Sequence, residues 1–351
     1  VAVHSVILTA CATGIVLGLS GCFIVPLVVE RLTIPPEVKV YIIPLIRIYS
    51  IGLIFHYVLI TSNALLRACN LVQRSLRTMA RICVINIVCN FMFVFYTPLG
   101  FRGIAASTAL SVFVGCLWNS GYVRTLLSDR TAYSFSVAQK VFSIGWPIGL
   151  LQILWQLGTT VIFMILSTLP YHAVETMAAY TNGIRIESAI FLPAFAFNMA
   201  NAVVVGNLIG KGEREEAFRN GIVTGMLGVI IVSVLTVIVL CNARGIAGLV
   251  SHNPVVIRES IRYLYVVLMC EPFMAWAVVL SGGLNGAGDT KSVLLRVSLS
   301  VWLIRIPLGL FFIKVLHWDA PALWWAMNIS IIVHSLFITQ RYFSKRWLAH
   351  T

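Results

Sequence analysis

An all-α polytopic membrane protein is the fold class this sequence predicts, on three observations. Hydrophobic residues fill 59% of the 351 positions and charged residues only 11%, where soluble domains carry about 25% charge. The mean hydropathy is +0.94, more apolar surface than a water-soluble core can hide. The apolar residues also gather into ten long runs, each near the ~20 residues that a spanning helix needs. The net charge of +13 does not mark a nucleic-acid binder. The basic residues stand singly or in small clusters between apolar runs, as they do at membrane flanks. The expected surroundings are the lipid bilayer, and no nucleic-acid partner is expected.

The runs are, in order, 4–28, 41–66, 75–96, 103–124, 142–168, 177–209, 220–241, 262–284, 292–315 and 321–340. Their connections are too short to hold a soluble domain. Prolines 44, 147, 193, 272 and 307 fall inside runs. Proline breaks are tolerated in membranes where neighbours satisfy the freed backbone groups, so Pro147, Pro193, Pro272 and Pro307 are the expected hinges. The cysteines (11, 22, 69, 83, 89, 116, 241 and 270) show no C-x-x-C spacing. They read as small packing residues. No H-E-x-x-H and no G-x-S-x-G occurs. No metal, no cofactor and no enzyme activity are therefore expected.

Counting lysine and arginine in alternate connections gives fifteen on one side and eight on the other, with Arg185 and Arg305 inside runs. The richer set includes Arg67, Arg74, Lys140, Lys211, Lys291, Arg341 and Lys345. By the positive-inside rule it is cytoplasmic, and the C-terminus with it. In a bacterium the address is the cytoplasmic (inner) membrane.

An internal repeat appears at a shift of 218 residues. Pro36 and Val38 fall on Pro254 and Val256, and the stretch 64–76 falls on 282–294. Runs one to four thus repeat as runs seven to ten, while the hairpin from about 138 to 218 has no counterpart in the first half. Repeats of this kind are a transporter feature. The expected domains are an N-terminal lobe of four helices, 1–130, and a C-terminal lobe of six, 131–351.

The glycine-rich stretch SGGLNGAGDTKS, 281–292, is not a phosphate loop. Asp289 stands where such a loop needs its lysine. It reads as a helix end and a tight cytoplasmic turn. Gly286 lets helices approach, Gly288 takes the left-handed conformation that ends a helix, and Asp289 or Thr290 caps the next helix. Lys291 lies at the inner surface.

Ionisable residues within a span are costly and therefore functional candidates. Glu271 lies about midway along 262–284 beside Pro272. That proline removes a backbone N–H and loosens the helix, exposing carbonyls that can ligate a cation. Arg305, two residues before Pro307, is expected to neutralise Glu271 across adjacent helices. Arg185 and Glu187 are further candidates; at i, i+2 they do not face each other. His56 and His334 read as packed histidines. Trp146, Trp155, Trp276, Phe195, Phe197, Met164, Met199 and Met274 are candidates to line an adaptable apolar cavity. Aromatic faces attract organic cations and methionine suits promiscuous surfaces.

Three stretches carry a family resemblance. LNGAGDTK resembles a signature turn of the multidrug and toxic compound extrusion (MATE) family. GIRIESAIFLPAFAFNMANAVVVGNLIGKGEREEAFRNG, 183–221, resembles the family's other signature, and NPVVIRESIRYLYVVLMCEPF its loop and tenth helix. The resemblance covers essentially the whole chain and departs from the family at Asn285, where arginine is common, and at Asn207, where glutamine is common. It implies that the ten runs are the family's third to twelfth helices, with the first two, and an aspartate the first often carries, not in this chain. It also implies two six-helix lobes about a pseudo-twofold axis, with a V-shaped cavity between them. The implied activity is export of organic cations and other drugs in exchange for H+ or Na+ by a monomer. A lipid-linked sugar flippase of the same superfamily is the alternative, but it would need more intramembrane arginines than Arg185 and Arg305. A nonfunctional transporter fragment is the other.

Overall fold

The computed structural model describes residues 2–31, 36–126 and 134–349. The turn at 32–35, Arg130 and the expected lobe boundary between 130 and 131 lie outside the described residues. The elements are α1 (Ala2–Arg31), α2 (Pro36–Ala68), α3 (Val72–Phe95), α4 (Arg102–Leu126), α5 (Phe135–Leu166), α6 (Ala173–Gly210) and α7 (Arg214–Cys241). They continue as α8 (Ala243–Val250), α9 (Pro254–Val267), α10 (Glu271–Gly286), α11 (Thr290–Ser298), α12 (Ile306–Leu310) and α13 (Ala320–Phe343). Among the described residues, ten helical stretches are long and apolar enough to cross a membrane, one for each predicted run. The protein is a multi-pass integral membrane protein. The short α8 escaped prediction because eight residues fall far below the length of a spanning run.

The chain divides into two compact units, 1–142 and 143–351. In the first, α1 packs on α2, α2 on α4 and α3 on α4. In the second, α7 packs on α10, α10 on α13, and the wide turns of 299–305 on α13. That is the same order of neighbours under the 218-residue shift. The second unit adds α6, which packs on α7, α9 and α10.

Lipid tails are as apolar as leucine, so helices in a membrane associate through close backbone approach and polar contacts rather than through the hydrophobic effect. Both devices hold α6 to α10. A methyl group at Gly282 would collide with the Asn198 backbone, and one at Gly286 with the Ala202 backbone. Asn198 Nδ2 donates to Val278 O at 2.6 Å and Asn201 Nδ2 to Val279 O at 2.8 Å. In the first unit side chains do the same. Asn119 donates to Ser62 Oγ, Ser75 to Asn63 Oδ1, and Asn86 to Thr108 and Ser111.

Two prolines reshape their helices. Pro272 sits in the first turn of α10, and the residues before it, Leu268–Cys270, tighten into a 3₁₀ turn. Pro307 lies in the short α12, flanked by wide π turns at Leu299–Arg305 and Phe311–Val315. Proline removes a donor from the i→i−4 ladder, and inserted wide turns of this kind often mark functional sites. By contrast α5 and α6 run on through Pro147 and Pro193, and α1 through Pro26.

Candidate functional site

Glu271 opens α10, directly after the tight turn, and its side chain is fully buried. Neither of its oxygens receives a hydrogen bond from an N–H or a hydroxyl among the described residues. The ionisable side chain that acts on it electrostatically is Glu187 of α6. Glu187 is only half-buried, and its Oε2 accepts a hydrogen bond from the Tyr263 O–H at 2.7 Å. Tyr263 of α9 is fully buried, edge-on to Trp324 at 4.8 Å and to Tyr180 at 5.7 Å between ring centroids. Tyr180 stacks on Trp324. Three helices therefore converge on two carboxyls. The seam of α6 against α10 brings Glu187 toward Glu271, and α9 supplies the hydroxyl.

Arg305 does not pair with Glu271, contrary to expectation. The π turns that precede Pro307 carry its side chain toward α5 and α13. There Nε donates to Ser330 Oγ at 3.3 Å, and the guanidinium lies 5.2 Å from the centre of the Trp155 ring. Its charged and polar surroundings are Tyr180, Glu187, Tyr263 and His334. His334 is buried on α13, with Nε2 unpaired among the described residues. Arg185 is exposed and stands apart from this cluster. Asn328 is buried, its Nδ2 donating to Val266 O at 2.7 Å just before the tight turn.

The signature turn also needs one correction. Gly288 has φ +82°, as a helix-ending glycine should. Asp289, however, makes no capping bond to α11. Its Oδ2 instead accepts from Arg341 Nε at 2.6 Å, with the side chains only 11% and 12% exposed. The nearby arginine wins because a charged donor satisfies a carboxylate better than a backbone N–H. Thr290 is buried beside it.

The cavity candidates divide. Met274, Trp155 and Trp276 turn into the packed interior of the second unit, where Trp276 Nε1 donates to Thr339 Oγ1 at 2.9 Å. Phe197 packs beside Gly228, while Phe195, Met199, Met164 and Trp146 are exposed. His56 is exposed in the first unit.

Tyr263 and Tyr180 are the site members that sequence reasoning missed. A signal was present: Tyr180 and Glu187 are seven residues apart and so share a helix face. Glu259, also unflagged, is nearly buried but paired with Arg262 at 3.0 Å, which reads as a structural contact.

The two units repeat one order of helix neighbours, and in the second a buried carboxyl stands next to a broken helix. Residues 147–311 match the family model MatE. The probable multidrug resistance protein NorM of Thermotoga maritima is 23% identical over 279 residues, covering 75% of this chain and 58% of that protein. The probable multidrug resistance protein YpnP of Bacillus subtilis is 25% identical over 350 residues, covering 98% of this chain and 77% of that protein. Among solved structures, a MOP superfamily transporter from Pyrococcus furiosus, described as having a binding pocket of reverse polarity, superposes with a TM-score of 0.91 at 17% identity. The match covers 100% of this chain and 79% of that one. An outward-facing multidrug resistance MATE transporter gives 0.85 at 18% identity, over 98% of this chain and 78% of that one. Over residues 147–311, and in its fold, the chain is similar to the MATE family of membrane transporters. It spans little more than half the length of the Thermotoga relative.

Proposed function

We propose that this chain is a secondary active antiporter that exports small organic cations and drugs in exchange for H+ or Na+. The observation that carries the reading is Glu271, fully buried in a spanning segment, with no N–H or hydroxyl donor on either oxygen among the described residues and only the Glu187 carboxyl beside it. A buried carboxyl left unpaired is costly. This one therefore demands a cation, whether a proton, a sodium ion or the ammonium of a substrate. Occupants that compete for one site exchange for one another, which is the thermodynamic basis of antiport. Glu187, half-buried and next to it, is the group through which a cation reaches Glu271, and Tyr263 holds Glu187 in place.

The acidic residues support placing the coupling in the second unit. Glu187 and Glu271 are the acids in the middle of spans, whereas the spans of the first unit carry only Glu30, at the very end of α1. There the polar side chains of Asn86, Asn90, Ser107 and Thr108 bond to one another. The names of the curated relatives support drug export. The lysine and arginine bias supports a cytoplasmic C-terminus, in the inner membrane of a bacterial cell. The protein acts as a monomer and is not an enzyme.

The test is reconstitution of this 351-residue chain into proteoliposomes, with uptake of a fluorescent organic cation under an imposed proton or sodium gradient. Accumulation with one gradient and not the other is expected, and it names the ion. Absence of accumulation with both would remove the reading and leave the fragment or flippase alternatives.

A further inference from the structure

Three arginines of α3 line one helix face without a counter-charge. Arg74, Arg77 and Arg81 follow the i, i+3, i+7 spacing that stacks side chains along a helix, and all three are exposed. None of them forms an ion pair among the described residues. The acids carried by the helices of this unit, Glu30 and Glu37, stand at the end of α1 and the start of α2, far from the turn into α3. Aromatic rings of α4 meet two of the arginines. The Arg74 guanidinium lies 5.3 Å from the centre of the Tyr122 ring, and that of Arg81 lies 5.3 Å from the centre of the Trp118 ring. Beside the second pair an open groove of about 450 Å³ runs between α3 and α4, its other walls formed by Ala80, Val84 and Ile85.

Arg81 lies deeper than a flanking arginine. It follows the first residue of α3, Val72, by about 14 Å along the helix axis, inside a segment long and apolar enough to span the membrane. A cation at that depth is costly unless a counter-charge reaches it. The internal repeat shows that the fold does not require one there. At the shift of 218 residues, Arg74, Arg77 and Arg81 fall on Ser292, Leu295 and Leu299, and Trp118 falls on Leu336. Leu295 and Leu336 are 57% and 62% exposed although the second unit contains α5 and α6, so a hairpin of that kind leaves this face open to lipid. We infer that the α3–α4 groove binds an anionic phospholipid, its phosphate held by Arg77 and Arg81 and an acyl chain lying along Val84, Ile85 and Trp118. A guanidinium fork fits a phosphate in two-point contact, and basic pockets between spanning helices hold lipid headgroups. Inorganic phosphate offers the same anion but nothing for the apolar walls. The lysine and arginine bias puts the mouth of the groove in the cytoplasmic leaflet, whose negative surface attracts basic residues. The inference goes beyond the exporter reading and is independent of transport.

Förster transfer from the protein's tryptophans to a dansyl-labelled phosphatidylglycerol reports binding to the detergent-purified chain. The competitors are unlabelled phosphatidylglycerol, phosphatidylcholine with the same chains, and inorganic phosphate. Phosphatidylglycerol is expected to displace the probe at least about tenfold more effectively than phosphatidylcholine, and phosphate not at all. Arg77→Gln and Arg81→Gln are each expected to lower that preference about fivefold, the worth of one basic residue at a lipid surface. Together they should abolish it. Arg81→Lys keeps the charge and loses the fork; it should fall between, and it serves if the glutamine variants fail to fold. Arg102→Gln removes the same charge at the opposite end of α4 and should leave the preference intact, which separates a site from the pull of net charge. Equal displacement by the two lipids in the unaltered chain overturns the proposal. So does a preference that survives the double variant or falls as far in Arg102→Gln. Displacement by phosphate at matched concentration makes the site one for a soluble anion and also overturns it. Binding is read without a gradient, so failure here leaves the exporter reading standing, and failure of transport leaves the lipid site standing.

Discussion

The carboxylate of Asp289 sits 2.6 Å from Arg341 Nε, and neither side chain is more than 12% exposed. Removing one partner of such a pair strands a buried charge, at a cost of about 3–5 kcal/mol. Arg341→Met is therefore expected to lower the thermal midpoint of the detergent-solubilised protein sharply. The double variant with Asp289→Asn should recover much of the loss. A single variant as stable as the parent would show that the pair contributes nothing. A second residue, Tyr263, makes the converse case. Tyr263→Phe removes the hydroxyl that satisfies Glu187 and leaves the ring packing intact. Glu187 should then hold cations more tightly, so the half-saturating concentration of the coupling ion should fall by about tenfold, the worth of a hydrogen bond to a charged group. An unchanged value would take Tyr263 out of the site. At this scale the sequence was only partly legible. Glu271, Glu187 and Arg305 stood out because charge in an apolar run is rare. Their partners did not, since Tyr263 and Ser330 are ordinary residues until the fold brings them 76 and 25 positions along the chain to their partners.

Close approach of α6 and α10 positions the carboxyls, and it depends on glycine at two crossing points. Gly282→Ala puts a methyl into the Asn198 backbone, which has no freedom to yield, whereas Gly149→Ala in α5 meets nothing within 4 Å. The first is expected to lower the thermal midpoint and to abolish ion-driven transport, because it moves Glu187 away from Glu271. The second should be silent in both assays. Equal behaviour of the two would mean that the seam does not set the site. The helices themselves were readable in order, because a run of about 20 apolar residues has few alternatives in lipid. The glycine turn was also readable, down to the left-handed Gly288. The π turns around Pro307 were not. Proline signals that the ladder breaks, but packing against α13 decides whether the break widens the helix, as at Arg305, or tightens it, as before Glu271. That difference is why the expected Arg305–Glu271 pair does not form.

Over the whole molecule, the mid-span acids are confined to one of two units that share an order of helix neighbours. In the first unit asparagine, serine and threonine side chains bond to one another across helices. The second leaves the Glu271 carboxyl without a donor among the described residues, and in the proposed antiporter this is the group that couples a cation gradient to a conformational equilibrium. The repeat and the charge bias that frame this division were visible in the sequence. The unmet Glu271 carboxyl became visible only once the side chains were placed. The most direct test compares Glu271→Gln with the parent in two assays on the same proteoliposomes: gradient-driven accumulation of a fluorescent organic cation, and exchange of that cation against itself with no gradient. The account predicts that the variant loses accumulation and, because the substrate cation competes for the same carboxyl, slows exchange as well. Accumulation at the parental rate in the Glu271→Gln variant would contradict it.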